Sequence, residues 1–319
     1  MMRFLITPVK NEAPLLEAFI RHHTPLFDRI VIADQQSTDG SWEIANSHPN
    51  VIALQNDSAA YDEHRRRVLM LEEVQRRHAG ALVMGLDADE FLLADPAEWE
   101  RACRNWIENH PQKTIRFDWN YLLPNGTEWF VQQQDFCRPV LSGEIPPGFI
   151  HRPRIPLSAE KFHCADFPIL HLNLYWLRRM RMKVWWYFAL EAAGGKKPSI
   201  DSLRLYSRNA SLTMPNRKTV PEKFQPAVCK ILDDLSVEDT WETWQKDDLL
   251  RMLAVDKKSR LSHTPIWSYP WNTELESAGH SPHAGPSLRC IALDWWISKT
   301  NAKKHTLPVR IADALLRRI

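Results

Sequence analysis

Short apolar runs alternate with longer amphipathic segments through about the first 120 residues, and this alternation limits the possible folds more than any other feature. The longer segments carry apolar residues at helical spacing. Short, nearly continuous apolar runs are typical of parallel strands that are covered on both faces. The order predicts a doubly wound, mostly parallel α/β domain. The predicted strands are residues 4–6, 29–33, 51–54, 81–86 and 114–119, and the predicted helices are 14–23, 41–47, 62–78 and 96–109.

The character of the chain changes after residue 119. Residues 120–170 are rich in Pro, Gly, Gln and aromatic residues, which indicates loops and short antiparallel strands. A basic, aromatic helix is predicted at 174–193. We predict an α/β domain over 1–195 and a mainly helical C-terminal region over 196–319, with helical patterns at 223–235, 237–254, 287–299 and 309–318.

Charge and cysteine content exclude several classes of protein. The 319 residues include 41 basic and 39 acidic side chains, and a net charge of +2 is too balanced to indicate nucleic-acid binding. The five cysteines are dispersed without CxxC spacing, so free thiols are expected rather than a zinc ribbon or a disulfide framework. No segment approaches the roughly 20 apolar residues of a membrane span. We expect a cytoplasmic protein, with the inner face of a membrane as its alternative location.

Polar residues follow three of the predicted strands. They occupy residues 9–12, 34–40 and 87–90. In an open parallel sheet, ligands bind beyond the carboxyl ends of the strands. The sequence therefore predicts a binding site at this edge of the sheet.

The aspartates of Asp87-Ala88-Asp89 are the strongest candidates in that site. Strand alternation places both carboxylates on one side if the chain stays extended. Like charges so close repel each other unless a cation neutralises them. Mg²⁺ is usually bound by one or two carboxylates together with substrate phosphates. The alternative interpretation is a helix N-cap or a solvated turn.

A second candidate follows the second predicted strand. The carboxylate of Asp34 is suited to accept a hydrogen bond from the imide N–H of uracil or from ribose hydroxyls. The following Ser37-Thr38-Asp39-Gly40 contains capping oxygens and a glycine that tolerates positive φ. Taken alone, these four residues are equally compatible with a simple turn and helix cap.

These stretches resemble family 2-like glycosyltransferases of the GT-A fold. The matching segments are VKNE at 9–12, IADQQSTDG at 32–40 and GLDADEFL at 85–92, in the order and approximate spacing of the family. The form Asp-Ala-Asp-Glu-Phe resembles a subgroup of this family in which the Asp-X-Asp motif is followed by Glu and Phe. The resemblance extends to about residue 95 and more weakly to about residue 185. One departure is Gln35-Gln36, where the family usually carries acidic or Asn/Gly residues.

The resemblance implies that residues 1–195 form a catalytic GT-A domain that transfers a sugar from a nucleoside-diphosphate sugar to a hydroxyl acceptor. We expect a UDP-sugar donor, and as acceptor a cell-surface glycan or a lipid-linked saccharide. Mn²⁺ or Mg²⁺ is the implied metal, with the ligands Asp87, Asp89 and His171. Asp34 is implied to contact the base or ribose, and Asp87 to face the ribose or a metal-bound water. The full donor-binding set is Lys10, Asn11, Glu12, Asp34, Asp39, Arg66 and Asp87.

Further residues are candidates for the chemistry itself. Arg65, Arg66 and Lys183 are candidates for stabilising the leaving diphosphate, although residues 65–67 also fit the solvated face of a helix. An inverting enzyme needs a base for the acceptor hydroxyl, whereas a retaining one does not. The acidic candidates for this base are Asp118, Glu128, Asp135, Glu144 and Asp166. We prefer Asp118, because it lies at the end of the fifth predicted strand.

Three alternatives remain open at this stage. A nucleotidyltransferase also uses strand-end carboxylates and a metal, but it would normally carry a Gly-rich phosphate loop, which this sequence lacks. A non-catalytic carbohydrate-binding or scaffold protein would suit the 14 tryptophans. The aromatic, basic stretch 174–186 fits either a peripheral contact with an anionic bilayer or a core helix whose cations reach the solvent.

Overall fold

A computed structural model describes residues 2–57, 63–139, 154–193, 217–235, 237, 243–255, 288–300, 303 and 306–316. The chain divides into two compact units. The first comprises Met1–Tyr175 with Asn216–Glu238, and the second comprises Trp176–Pro215 with Asp239–Ile319. The first stretch of the first unit therefore ends at Tyr175, whereas the predicted boundary is residue 195. A later segment of the chain, Asn216–Glu238, also belongs to the first unit.

The first unit contains a nine-stranded mixed sheet in the order β3-β2-β1-β4-β7-β6-β8-β5, with β9 beside β7. The strands β3, β2, β1 and β4 are parallel to one another. The strands β7, β6 and β8 extend this parallel part with both parallel and antiparallel pairings. The strands are β1 Arg3–Val9, β2 Arg29–Asp34, β3 Val51–Gln55, β4 Leu82–Gly85, β5 Glu90–Leu92, β6 Thr114–Leu122, β7 Glu128–Pro139, β8 Lys161–His171 and β9 Arg217–Thr219.

Helices cover this sheet in the first unit and dominate the second unit. The expected class is confirmed: the protein is a mixed α/β protein with parallel central strands and a helical C-terminal region. The helices of the first unit are α1 Ala13–His23, α2 Ser41–Ser47, α3 Glu63–Arg77, α4 Pro96–Asn109 and α6 Gln225–Asp234, the last preceded by a 3₁₀ turn at Glu222–Phe224. Those of the second unit are α5 Leu177–Ala193, α7 Thr243–Val255, α8 Leu288–Thr300 and α9 Leu307–Leu316.

Residues 120–170 were predicted to form loops and short antiparallel strands, and two of the strands in this range are longer than predicted. The strand β7 has 12 residues and β8 has 11. The first half of β8 is largely exposed, and only its second half, from Phe167, is continuously buried. The solvent-facing part of such a strand carries polar residues, so its amino-acid composition is similar to that of a loop.

The core under the parallel strands is aliphatic, whereas a histidine joins α1 to β5. His23 is fully buried, its Nδ1–H donates to the carbonyl oxygen of Phe19 at 2.9 Å, and its Nε2 accepts from the backbone N–H of Leu92 at 3.2 Å. Its ring also stacks on Phe91 at a centroid distance of 5.8 Å. Both ring nitrogens are therefore used by a neutral imidazole, and β5 is fixed against α1.

We expect the free energy of unfolding to fall as the pH drops below about 6.5, because His23 must stay neutral in the folded protein. Burial lowers the pKa of His23 well below 6.5, and the neighbouring His22 lowers it further. Below about pH 6.5 the unfolded chain binds a proton that the folded chain does not, which costs up to ~1.4 kcal/mol per pH unit. Denaturant titrations between about pH 7 and pH 5 measure this slope.

The slope, not the stability at one pH, identifies the cause. His23→Gln should flatten it, and substitution of the exposed His78 by glutamine should leave it unchanged. An equal slope in wild type and His23→Gln would contradict the assignment.

In the second unit, α5 belongs to the core. Met182 and Trp186 are buried, and the Trp186 indole N–H donates to Asp248 of α7 at 2.8 Å. This packing favours the core interpretation of residues 174–186 over the membrane one. Over the described residues, none of the helices combines the length and apolar character that a bilayer span requires.

Candidate active site

Hydrogen bonds join the loops that follow β1 and β2 into one platform. The backbone N–H of Asn11 donates to Ser37 Oγ at 2.8 Å, and the N–H of Thr38 donates to Asn11 Oδ1 at 2.7 Å. Asn11 has φ 54°, in the left-handed region that asparagine tolerates better than most residues. Lys10 Nζ crosses between the loops to donate to the carbonyl of Gln35 at 3.2 Å.

Asp39 completes this platform from the other loop. Its Oδ2 accepts from the N–H of Ala13 at the start of α1, at 2.9 Å. Its Oδ1 accepts from both the N–H and the hydroxyl of Ser41, and Ser41 Oγ in turn accepts from the N–H of Glu12. The predicted donor-binding side chains of Asn11 and Asp39 therefore hold the two loops together.

Asp34, at the end of β2, has an oxygen that the protein does not use. The residue is 1% exposed, and its Oδ2 accepts from the N–H of Ser37 at 3.0 Å. Within the described part of the chain, its buried Oδ1 has no hydrogen-bond partner. A buried acceptor without a partner is costly, so a ligand donor at this oxygen is the natural complement.

Asp87, at the end of β4, is held by an arginine that sequence reasoning missed. Arg154 Nε donates to Asp87 Oδ1 at 3.1 Å, and its Nη2 donates to Asp87 Oδ2. The same Nη2 donates to Glu90 Oε1 at 3.0 Å, while Glu90 Oε2 accepts from the N–H of Asp87 at 2.8 Å. One guanidinium thus ties together two carboxylates of the acidic motif.

The backbone of β4 makes room for Arg154. A Cβ at Gly85 would lie 2.7 Å from the Cβ of Arg154, closer than real Cβ contacts allow. The guanidinium also lies over the ring of Phe136, 5.3 Å from its centroid. Gly85 was the only sequence signal for this arginine, because residues around 154 carry no recognisable motif.

Glu90 is the most buried carboxylate of this cluster. Its side chain is 0% exposed. Burial raises the pKa of Glu90 to about 7, against the opposing charge of Arg154.

Asp89 faces His171. Asp89 Oδ2 lies 3.5 Å from His171 Nε2, and both side chains are nearly buried. Antiparallel pairing of Glu90 with His171 sets this distance, together with a bond from the N–H of Leu172 to the carbonyl of Asp89. Ala88 and Asp89 lie in a turn, so the chain from Asp87 to Asp89 does not stay extended.

Aromatic rings hold the imidazole of His171 in place. It stacks on Trp119 with ring centroids 4.7 Å apart and planes 10° apart, and Tyr121 lies 4.6 Å away. Its Nδ1 is buried with no hydrogen-bond partner among the residues that the structure describes.

The carboxylate of Asp89 and the imidazole of His171 are the candidate ligands for a divalent cation. Over the described ranges, no group of three or more His, Cys, Asp or Glu side chains is arranged to hold a metal ion. Two donors 3.5 Å apart nevertheless fit an ion whose remaining ligands come from substrate phosphates and water. Metal-bound histidines usually donate their other ring N–H to an acceptor, and His171 departs from this pattern. The oxygens of Asp87 already bind Arg154.

Asp118 does not lie with this cluster. Trp119 and Tyr121 face His171, and side chains alternate along β6, so Asp118 faces the opposite side of the sheet. There its Oδ1 lies 2.9 Å from Nε2 of His163.

The other predicted residues are dispersed. On α3, Arg66 and Arg67 are buried, which contradicts the solvated-face interpretation for these two, while Arg65 is exposed. Lys183 belongs to α5 in the second unit. Of the other acidic candidates, Glu128 accepts from Asn125, Asp135 pairs with Arg116 and Lys161, Asp166 is exposed, and Glu144 lies outside the described residues.

The N-terminal part of this site matches a known family. Residues 4–90 match the family model of glycosyl transferase family 2. The match begins in β1 and ends at Glu90, so it contains Asp34, Asp87 and Asp89 but neither Arg154 nor His171. This match supports a transferase that uses a nucleotide-sugar.

Solved structures share partial likeness with the chain. Glucosyl-3-phosphoglycerate synthase from Mycobacterium tuberculosis, in complex with Mn²⁺, UDP and phosphoglyceric acid, is 15% identical over 40% of this chain and 45% of its own, with a TM-score of 0.29. Mannosyl-3-phosphoglycerate synthase from Rubrobacter xylanophilus is 18% identical over 39% and 41%, with a TM-score of 0.27. HddC from Yersinia pseudotuberculosis is 7% identical over 54% and 93%, with a TM-score of 0.32.

These likenesses carry no argument about activity, because every TM-score is low. The aligned parts also span less than half the length of the two synthases. A search of curated proteins gave no match.

Proposed function

We propose that the protein transfers a sugar from a nucleoside-diphosphate sugar, expected to be a UDP-sugar, to a hydroxyl of a glycan or a lipid-linked saccharide. One observation carries this proposal. Asp89 lies near the end of the segment that matches glycosyl transferase family 2, and its Oδ2 is 3.5 Å from Nε2 of His171. The pairing of β5 with β8 brings the two residues together. This pair of donors is what a diphosphate-bound divalent cation needs from the protein.

The nucleoside end of the donor is assigned to the platform after β1 and β2. Asp34 presents a buried oxygen to an N–H or hydroxyl donor, which supports contact with the base or ribose. Lys10 and Glu12 belong to the same platform. Asn11 and Asp39 act by shaping it, and Arg66 stays a prediction.

The diphosphate end is assigned to Asp89 and His171, which would hold Mn²⁺ or Mg²⁺. When bound, the ion supplies Lewis-acid stabilisation of the leaving diphosphate. Asp87 is assigned to the ribose, as the family resemblance implies, and Arg154 would fix the direction of its carboxylate. Aromatic packing around His171 keeps its imidazole in one orientation, which lowers the cost of binding.

One of the two catalytic predictions, Asp118, lies apart from this cluster within the first unit. Asp118 stays a prediction for the acceptor base, and its pairing with His163 on the opposite face of the sheet does not favour it. Lys183 stays a prediction for the leaving group. The stereochemistry of the product, once measured, distinguishes an inverting enzyme from a retaining one.

We expect the protein to bind one of UDP, GDP, CDP and dTDP in the presence of Mn²⁺ and to lose that binding in EDTA. Calorimetric titration measures both. Asp34→Asn should weaken binding by roughly tenfold to a hundredfold, because it changes the one acceptor that faces the nucleoside. Asp247→Asn, at an exposed aspartate of the second unit, is the matched control and should bind normally.

The alternative outcome is equally specific. If the folded protein binds no nucleoside diphosphate, the proposal fails and a carbohydrate-binding or scaffold role takes its place. Sugar binding that survives both EDTA and Asp89→Asn would indicate that role directly.

A further inference from the structure

The largest apolar side chains that face solvent lie at the C-terminal end of the described chain. Leu307, Ile311 and Leu315 of α9 and Trp295 of α8 are between 54% and 68% exposed. These four residues are the exposed large hydrophobic side chains of the described part of the protein. Clustered exposure of this kind usually marks an interaction surface.

The three exposed residues of α9 form one line along the helix. They are four residues apart, and this spacing places them on one face. We call this line, formed by Leu307, Ile311 and Leu315, the apolar stripe. The opposite face is already used, because Val309 and Asp313 are buried and the indole N–H of Trp296 donates to Asp313 Oδ1 at 2.9 Å. The helix is therefore docked on α8 by one face, and the stripe is its second apolar face.

The charge around the stripe is strongly positive. Residues 299–319 contain six lysines and arginines and one acidic residue, a net charge of 6 − 1 = +5. Three of the cations, Lys299, Lys303 and Arg310, are exposed. The acidic residue is Asp313, which is buried against Trp296. The solvent-facing side thus combines apolar residues with cations and carries no exposed carboxylate in the described part of this segment.

We propose that α9 is a membrane-docking helix whose apolar stripe enters the interface of a bilayer rich in anionic phospholipid. Short amphipathic helices with aliphatic residues on one side and basic residues at the margin bind in the interfacial plane. Each basic side chain near an anionic leaflet adds attraction that salt screens.

The positive charge around α9 favours an anionic bilayer over a second copy of this chain as the partner of the apolar stripe. A symmetric contact between two copies of α9 would bring two sets of cations together, which repel. An anionic lipid surface neutralises the same cations. The docking is independent of whether residues of the first unit transfer sugar, and it would bring the protein to a surface where lipid-linked acceptors lie.

Vesicle flotation with the full chain tests the proposal. The probes are vesicles of phosphatidylcholine alone and of phosphatidylcholine mixed with phosphatidylglycerol. We expect binding to the mixed vesicles, weakened by high salt, and little binding to the neutral ones. Ile311→Gln with Leu315→Gln should reduce partitioning by roughly tenfold or more, because it removes buried apolar area while glutamine preserves helix propensity.

Matched variants separate the contributions. Ile311→Met with Leu315→Met keeps the apolar area and should retain binding. Arg310→Gln should weaken binding and reduce its salt dependence, whereas Arg101→Gln, at an exposed arginine of α4, should leave both unchanged. Circular dichroism confirms that each variant is folded.

Two results would overturn the proposal. One is a folded wild-type protein that stays unbound with anionic vesicles at low salt. The other is self-association, measured by light scattering, that the double glutamine variant abolishes while vesicle binding is unaffected.

Discussion

Asp89→Asn is expected to lower sugar transfer by roughly a hundredfold or more and to remove the effect of Mn²⁺ on nucleotide binding. The substitution keeps the size of the side chain but removes the charge that faces His171 at 3.5 Å. An amide oxygen is a much weaker ligand than a carboxylate for a hard cation. The leaving diphosphate would then lose its main electrostatic support.

The fold should tolerate this change. The backbone carbonyl of Asp89, which accepts from the N–H of Leu172, is unaffected by the substitution. Thermal unfolding of Asp89→Asn should therefore stay close to that of wild type. Release of nucleoside diphosphate from the donor and calorimetry with and without EDTA measure the two functional effects.

His171 provides an independent test of the same pair. His171→Asn should weaken the Mn²⁺ effect in the same direction. The double variant should be no worse than Asp89→Asn, because in our proposal both residues act through one ion. If Asp89→Asn keeps its metal-dependent affinity for nucleotide, the ion does not bind where we propose. Additive losses in the double variant would assign separate roles to the two residues.

The parallel half of the fold was predictable because local signals suffice for it. Four apolar runs correspond to β1, β2, β3 and β4, and a fifth corresponds to β6 in the mixed part of the sheet. The helices between them begin and end close to their expected residues. The carboxylates at the strand ends followed from the same pattern. The carboxyl ends of parallel strands lie at the same edge of a sheet, so the pattern already predicted which loops lie at that edge.

The mixed half was not predictable because its partners are distant in the sequence. The site depends on β5, a strand of three residues that pairs with β8 some eighty positions later. Three residues carry too little periodicity to reveal a strand. The family resemblance suggested His171, but only the pairing of Glu90 with His171 explains why it faces Asp89.

Arg154→Ala is expected to destabilise the protein by about 3–5 kcal/mol, the usual cost of leaving a buried charge without its partner. Glu90 is 0% exposed and Arg154 only 16%. Without the guanidinium, the buried carboxylate of Glu90 and the more exposed carboxylate of Asp87 would lose the positive charge between them. Glu90 would then have to take up a proton or expose itself, and either response disturbs Asp87, whose N–H it binds.

Comparison with an exposed pair isolates the effect of burial. Arg116 pairs with Asp135 in a more open position, with 35% of the arginine side chain exposed. Arg116→Ala should therefore cost less than about 1 kcal/mol, as surface ion pairs usually do. Denaturant titration of both variants measures the difference.

A double variant separates loss of charge balance from loss of packing. If the missing positive charge is the cause, Arg154→Ala combined with Glu90→Gln should regain part of the stability, because one carboxylate becomes neutral. If lost packing on Phe136 and Gly85 is the cause, the second substitution should give no recovery. An Arg154→Ala protein as stable as Arg116→Ala would mean that solvent reaches Glu90, and the acidic motif would then be held by the backbone of β4 and β5 rather than by an internal cation.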